Sequence, residues 1–181
     1  AIVQDGGEMF GEEYTLVAIA DYVLAHTPGS TVSNLSSSRA LRDVTEAHGC
    51  TYTAAAVGEV NVTTEMKRTG AVIGGEGNGG VIYPELHYGR DALVGVALFL
   101  TLMAKTGRKP SEIRAMMPEY CIYKTKVQLQ PGLNVDKLLV QIKEKYADEK
   151  ITDIDGVKID FADSWVHPVS YTHLRAHETV L

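Results

Sequence analysis

Between Gly74 and Gly80 the chain reads Gly-Gly-Glu-Gly-Asn-Gly-Gly, five glycines around one carboxylate and one carboxamide. Glycines strip side chains from the backbone and let a ligand approach it, while Glu76 can accept hydrogen bonds and Asn78 can accept or donate them. Such a set suits a ligand bearing hydroxyl groups. A tight strand-to-strand connection using glycine for φ > 0 accounts for the same spacing, and both readings stand. Gly75, Gly77 and Gly80 also satisfy G-x-G-x-x-G, but a dinucleotide site needs that motif to open a helix. Here Val81-Ile82-Tyr83-Pro84 follows, which is extended, so the dinucleotide reading is rejected.

Two further segments carry polar groups at element ends. Asn34-Leu-Ser-Ser-Ser-Arg39 stands between a strand and a helix, where hydroxyls, helix-start amides and one guanidinium could hold an anion. Ordinary N-capping by Ser36, Ser37 or Ser38 is the simpler account. His87-Tyr88-Gly89-Arg90-Asp91 precedes a helix that Asp91 can cap. His87 and Arg90 could face a ligand or stand in a solvated loop. His173 and His177 are four apart, with His167 upstream, yet no third ligand has zinc spacing. Asp153 and Asp155 fit a hairpin turn better than a calcium loop, since the twelve-residue pattern is missing. No segment offers three closely alternating carboxylates for magnesium.

The elements that must position these groups alternate. Tyr14, Val17, Ala18, Tyr22 and Ala25 recur at helical spacing up to Pro28-Gly29. Thr31 to Leu35 predicts a strand, a helix capped by Ser38 carries Leu41, Val44 and Ala47, and Cys50 to Val57 predicts a second strand. Val60 to Arg68 predicts a helix, Ala71 to Ile73 a third strand, Val81 to Tyr83 an extended stretch, and Asp91 opens a long helix to about Ala104. This alternation points to an α/β layer with crossover connections. Ser111 is expected to cap a short helix ending near Pro118, and Cys121 to Leu129 to form a strand. Val135, Leu138, Leu139 and Ile142 then make a helical stripe, and Ile151 to Phe161 folds as a hairpin about Asp155-Gly156. The change of style puts a boundary near residues 118–130.

With 181 residues, the chain has room for one domain and part of another. A net charge of −6 argues against nucleic-acid partners, which require clustered cations, and no apolar run is long enough for a membrane. Cys50 and Cys121 read as free thiols of a reducing cytoplasm.

The glycine run, followed by His87 to Asp91 and a long apolar helix, resembles the third domain of the α-D-phosphohexomutases, the family of phosphoglucosamine mutase and phosphomannomutase/phosphoglucomutase. Gly11-Glu12-Glu13, Ser36 to Leu41, and Val57-Gly58-Glu59 with Met66 fit the same domain; Tyr120 to Leu129 and Val157 to His167 are similar to the entry of the fourth. The resemblance therefore implies a three-layer α/β/α sugar-recognition domain followed by a truncated α+β domain. Residues 1–10 would end the second domain, 11–118 form the third, 119–167 a linker strand and part of the fourth, and 168–181 a tail resembling adaptor or vector read-through.

The implied parent moves a phosphoryl group between the 1- and 6-positions of a hexose phosphate, with glucosamine favoured over mannose. It implies a phosphoserine and an Asp-rich Mg2+ loop upstream, and a hexose 1,6-bisphosphate as intermediate and activator. No catalytic residue and no metal ligand is then expected in this chain, which alone should be inactive. Glu76 matches the family's sugar-hydroxyl acceptor. Asn78 stands where many members have Ser, Glu59 where some have His, and Ser36 where some have Lys, which suggests a subfamily apart from the best-known bacterial phosphomannomutases. Gly77, Arg39, His87 and Arg90 complete the expected substrate-binding set. The competing expectation is a non-catalytic phosphosugar- or nucleotide-binding α/β module.

Overall fold

The structure, a computed structural model, describes residues 1–125 and 133–169. It divides into two compact units, Ala1–Lys124 and Thr125–Leu181. In the first, a four-stranded sheet has the order β2-β1-β3-β4, with β1 Thr31–Asn34, β2 Tyr52–Ala55, β3 Ile73–Glu76 and β4 Gly80–Ile82. β2, β1 and β3 run parallel, and β4 returns antiparallel beside β3.

The helices of this unit are α1 Glu12–His26, α2 Ala40–Ala47, α3 Glu59–Thr69, α4 Ala92–Thr106 and α5 Pro110–Ala115. Helix α1 is buried almost all round, from Tyr14 through Leu24, because it packs against α2, α4 and the sheet at once. Strand side chains alternate between two cores, as a pleat requires. Ile73 and Val81 join α1, α2 and Phe99 on one face, while Val32 and Ile82 join Val62 and Met66 of α3 on the other. The result is the expected α/β/α layering. The connection from β1 to β2 and that from β2 to β3 run in opposite directions along the sheet. The crevice between the carboxyl ends of β1 and β3 is therefore a topological switch point.

The glycine run is not one loop. β3 extends through Gly74 and Gly75 to Glu76, and only Gly77-Asn78-Gly79 turns. Parallel pairing of Val32 with Gly74 and Ser33 with Gly75 carries the strand through residues of poor strand propensity. At Gly74 a methyl group would lie 2.6 Å from the Val32 carbonyl oxygen and 2.7 Å from Met66 Sδ, so glycine lets α3 close on the sheet. Gly79, at φ 85, closes the three-residue hairpin with its N–H directed to the Glu76 carbonyl at 3.3 Å.

Several end signals differ from expectation. Ser111 does not cap α5; Pro110 opens that helix and Glu112 accepts from the Lys109 N–H at 2.8 Å. Ser38 does bond the Ala40 N–H at 3.3 Å, although Arg39 holds the cap position of α2. Phe10, just ahead of the expected start of the third domain, is buried edge-to-face on Phe99, with centroids 5.1 Å apart. The strand expected from Cys121 is not formed over Cys121–Thr125, and its remainder lies outside the described residues. Just before it, Tyr14 Oη donates to the Tyr120 carbonyl at 3.1 Å and accepts from its N–H at 2.7 Å.

In the second unit α6 Val135–Lys145 precedes an antiparallel sheet of β5 Lys150–Thr152, β6 Lys158–Asp160 and β7 Trp165–Val166. Leu138, Leu139 and Ile142 form the half-buried stripe of α6, and Gly156, at φ 63, makes the hairpin turn. The tail expected over 168–181 falls outside the described residues from Ser170 onward, and with it His173 and His177.

Candidate functional site

Asn34 ends β1 and Glu76 ends β3, so the parallel pairing of these strands brings the two side chains together at the switch point. Asn34 Nδ2 donates to Glu76 Oε1 at 3.0 Å, and both residues are buried. The Asn34 carboxamide is oriented by its other half, since Oδ1 accepts from the Ser36 N–H at 3.1 Å and from Ser37 Oγ at 3.0 Å. Ser37 Oγ in turn accepts from the Gly77 N–H at 3.0 Å. The loop after β1 is thereby stitched to the turn after β3.

The second Glu76 oxygen faces a cation: Arg90 Nη1 lies 3.4 Å from Oε2. Glu59, the first residue of α3, takes the Arg90 N–H on Oε1 at 3.0 Å and Arg90 Nε on Oε2 at 2.8 Å. Those bonds from Arg90, its backbone N–H foremost, hold the Glu59 carboxyl below the usual carboxylate range. Glu59, Arg90 and Glu76 thus form one carboxylate–guanidinium–carboxylate row. The Glu76 side chain is 8% exposed and belongs to the packed end of the sheet rather than to a free loop.

The remaining expected residues are placed as follows. Asn78 is exposed at the tip of the turn and accepts from the Gly80 N–H on Oδ1 at 3.2 Å. Gly77 leaves space that Glu13 occupies: a methyl there would sit 1.9 Å from Glu13 Oε1. Ser36 is joined to Glu76 through Asn34, and Arg39 is buried at the start of α2. His87 pairs with Asp91 Oδ2 at 3.0 Å, and Asp91 caps α4 by accepting from Leu93 and Val94. The structure therefore unites Glu76, Arg90 and Glu59, borders them with Gly77 and Asn78, and leaves His87 with the helix cap.

An anion site built on helix-start amides at Ser36–Ser38 is not available. The Ser36 N–H goes to Asn34 Oδ1, the Ser37 N–H to the Asn34 carbonyl at 3.1 Å, and the Ser38 N–H to Glu13 Oε2 at 2.9 Å. Glu13, from the first turn of α1, fills the place of an external anion. Burial pushes its carboxyl up, against the Ser38 amide and the charge of Lys124, and Oε1 is buried with no hydrogen-bond partner. Asn34, Ser37 and Glu13 were not among the expected site residues. The one available signal was that Asn34 and Glu13 lie inside segments already singled out.

Among the described residues no group of three or more His, Cys, Asp or Glu is arranged to hold a metal ion. No helix among them is long and apolar enough to cross a membrane. An open cavity of about 430 Å³, lined by Gln4, Tyr14 and Arg114 among others, includes none of the candidate site residues Glu76, Arg90, Glu59, Asn34, Ser37 or Asn78. His167 Nε2 meets the Asp155 carbonyl at 2.6 Å, within the hairpin of the second unit.

Residues 11–120 match the model of the phosphoglucomutase/phosphomannomutase α/β/α domain III. A phosphoglucomutase/phosphomannomutase of Thermococcus kodakarensis is 31% identical over 166 residues, covering 91% of this chain and 36% of that protein. A phosphoglucosamine/phosphogalactosamine mutase of Sulfurisphaera tokodaii is 39% identical over 111 residues, covering 60% of this chain and 24% of that protein. A crystal structure of a phosphoglucomutase/phosphomannomutase family protein from Burkholderia thailandensis superposes with a TM-score of 0.76 at 21% identity, over 93% of this chain and 36% of that one, and so shares the fold. The chain thus spans little more than a third of the length of relatives that cover most of it.

Proposed function

Because this chain belongs to the phosphoglucomutase/phosphomannomutase family through its α/β/α domain III, we propose that it is the sugar-recognition part of a phosphohexose mutase. The substrate in this reading is a hexose phosphate, glucosamine phosphate before mannose phosphate; the 39% identical Sulfurisphaera relative bears an amino-sugar mutase name. The parent would move the phosphoryl group between the 1- and 6-positions through a hexose 1,6-bisphosphate, with phosphoserine and Mg2+ supplied from outside this chain. The 181 residues alone would bind sugar without turning it over.

One observation carries the proposal. The Glu76 carboxylate stands at the switch point, each oxygen already oriented by one partner, beside a turn whose only long side chain is Asn78. A carboxylate has about four acceptor positions, so each oxygen keeps one for a sugar hydroxyl. Bonds to a charged acceptor contribute about 1.5–3 kcal/mol each, enough to select among hydroxyl patterns. Gly79, where a methyl would meet only the Glu12 carbonyl oxygen at 3.6 Å, leaves the backbone of the turn open to a ring. The work of such a part is to hold the sugar so that the reacting oxygen is presented.

The test is Glu76→Gln in the full-length parent, assayed with glucosamine and mannose phosphates. Glutamine keeps one carbonyl oxygen for Asn34 and removes the charge. We expect kcat/KM to fall by roughly tenfold or more, the loss of a charged hydrogen bond. Unchanged kcat/KM with both sugars would refute the proposal.

A further inference from the structure

We infer that Arg90 is a positioning residue for the Glu76 carboxylate, clamped by Glu59 and admitted by Gly80. The inference rests on the sugar-recognition reading of Glu76. Its basis is the geometry of one side chain crossing a strand. The Arg90 backbone lies beside β4, in a bridge with Ile82, whereas Glu76 ends β3 on the far side of β4's first residue. Gly80 is paired directly with Glu76 across the two strands. A methyl group at Gly80 would sit 2.5 Å from Arg90 Cδ and 3.2 Å from Cγ. The guanidinium reaches Glu76 only because that position carries no side chain.

Glu59 fixes the approach. It holds Arg90 at two points, the backbone N–H and Nε, and leaves Nη1 facing Glu76 Oε2. The fork of a guanidinium makes this division of contacts possible, and an ammonium at the end of a flexible stem could not reproduce it. Arg90 and Glu59 are 45% and 35% exposed, so the pair adds little to folding. Glu76, 8% exposed and bonded to buried Asn34, is by contrast part of the packed sheet end. The row therefore links an exposed clamp to a buried acceptor. Its effect is on the orientation of the acceptor offered to a ligand rather than on the fold. Glu59 stands on α3 and Arg90 in the loop before α4, so the clamp also fixes that loop against the sugar-facing turn.

The experiment compares Arg90→Ala, Arg90→Lys, Glu59→Gln, Gly80→Ala, Glu76→Gln and the double variant Arg90→Ala/Glu76→Gln in the full-length parent. The readouts are kcat and KM for glucosamine 6-phosphate and mannose 6-phosphate, with Tm of each protein. We expect Arg90→Ala to lower kcat/KM about tenfold, the effect typical of a group that orients another, with little change in Tm. Gly80→Ala should reproduce that loss although Arg90 is still present, and Glu59→Gln should give a smaller one. Arg90→Lys should recover only part, and Arg90→Ala should add nothing once Glu76 is changed. Normal kcat/KM in both Arg90→Ala and Gly80→Ala, beside a deficient Glu76→Gln, would overturn the inference while sparing the sugar reading. A full additional loss in the double variant would also overturn it, by showing that Arg90 acts on the substrate independently. A normal Glu76→Gln enzyme would refute the sugar reading and the inference with it.

Discussion

The side chain of Asn34 can be turned from a donor into a charge with almost no change of shape, by Asn34→Asp. The introduced carboxylate would still accept from the Ser36 N–H and from Ser37 Oγ, so two of the three bonds of this position survive. The third inverts: where Nδ2 donates to Glu76 Oε1 at 3.0 Å, two carboxylate oxygens would meet. Losing the charged hydrogen bond costs about 1.5–3 kcal/mol. Two like charges at that distance repel by about 5 kcal/mol at an effective dielectric of about 20. The folded protein can relieve the repulsion by keeping one proton between the two groups, at about 1.4 kcal/mol for each pH unit above their ordinary range. The expected penalty is about 3–5 kcal/mol near pH 8, a fall in Tm of roughly 10 °C or more. The shared proton sets the sign of the pH dependence. The folded variant binds more protons than its unfolded chain, so its stability declines as pH rises and returns as pH falls toward about 5. The assay is thermal melting of wild type, Asn34→Asp and Asn34→Ala at both pH values. The alanine variant loses the bonds without adding charge, and its deficit should vary with pH much less than that of Asn34→Asp. An Asn34→Asp protein as stable as wild type near pH 8, or one whose deficit ignores pH, would refute the reasoning.

Two further outcomes follow from Glu13. Burial raises its carboxyl, so the folded state takes up a proton more readily than the unfolded chain and wild-type stability declines as pH rises through the raised value. Glu13→Gln keeps an oxygen for Ser38 and abolishes that titration; its Tm relative to wild type should improve between about pH 4 and about pH 8, and parallel curves would contradict this. Gly77→Ala would press a methyl against Glu13 Oε1 at 1.9 Å and should destabilise by about 1–3 kcal/mol in urea unfolding, whereas an unmoved midpoint would show that the carboxylate can step aside.

What could be read along the chain was whatever depends on near neighbours. Asp91 capping α4, the stripe of α6 and the Asp155-Gly156 hairpin all rest on residues within a turn of one another, and all are present. β3 was placed too early because Gly74 and Gly75 have no strand preference of their own; β1 imposes the strand on them. The site was legible in part for the same reason. Glu76 stands out among glycines, and its place beside Arg90 and Glu59 could only be guessed at from motif likeness. Asn34 meets Glu76 across 42 residues and Ser38 meets Glu13 across 25, so both pairs look in sequence like ordinary helix-start chemistry. Three serines before a helix suggest empty amides, and only the fold reveals that a carboxylate from α1 has claimed one of them.

The turn that rims the candidate site also sets a limit on how long the molecule keeps its composition. Asn78 is followed by Gly79 and is exposed. A glycine nitrogen is the least hindered attacker of the preceding carboxamide; it can bond to Cγ, expel ammonia and close a succinimide, which water reopens to aspartate or isoaspartate. The Gly79 N–H is tied to the Glu76 carbonyl by a long bond of 3.3 Å and Asn78 Oδ1 to the Gly80 N–H at 3.2 Å, so the folded turn restrains the attack only through those two contacts. With age, a negative charge would appear beside Glu76, or an extra methylene would lengthen the backbone at the tip of the hairpin. Stored protein would then drift in charge and backbone length at the rim of the candidate site while its gene and its fold stayed the same.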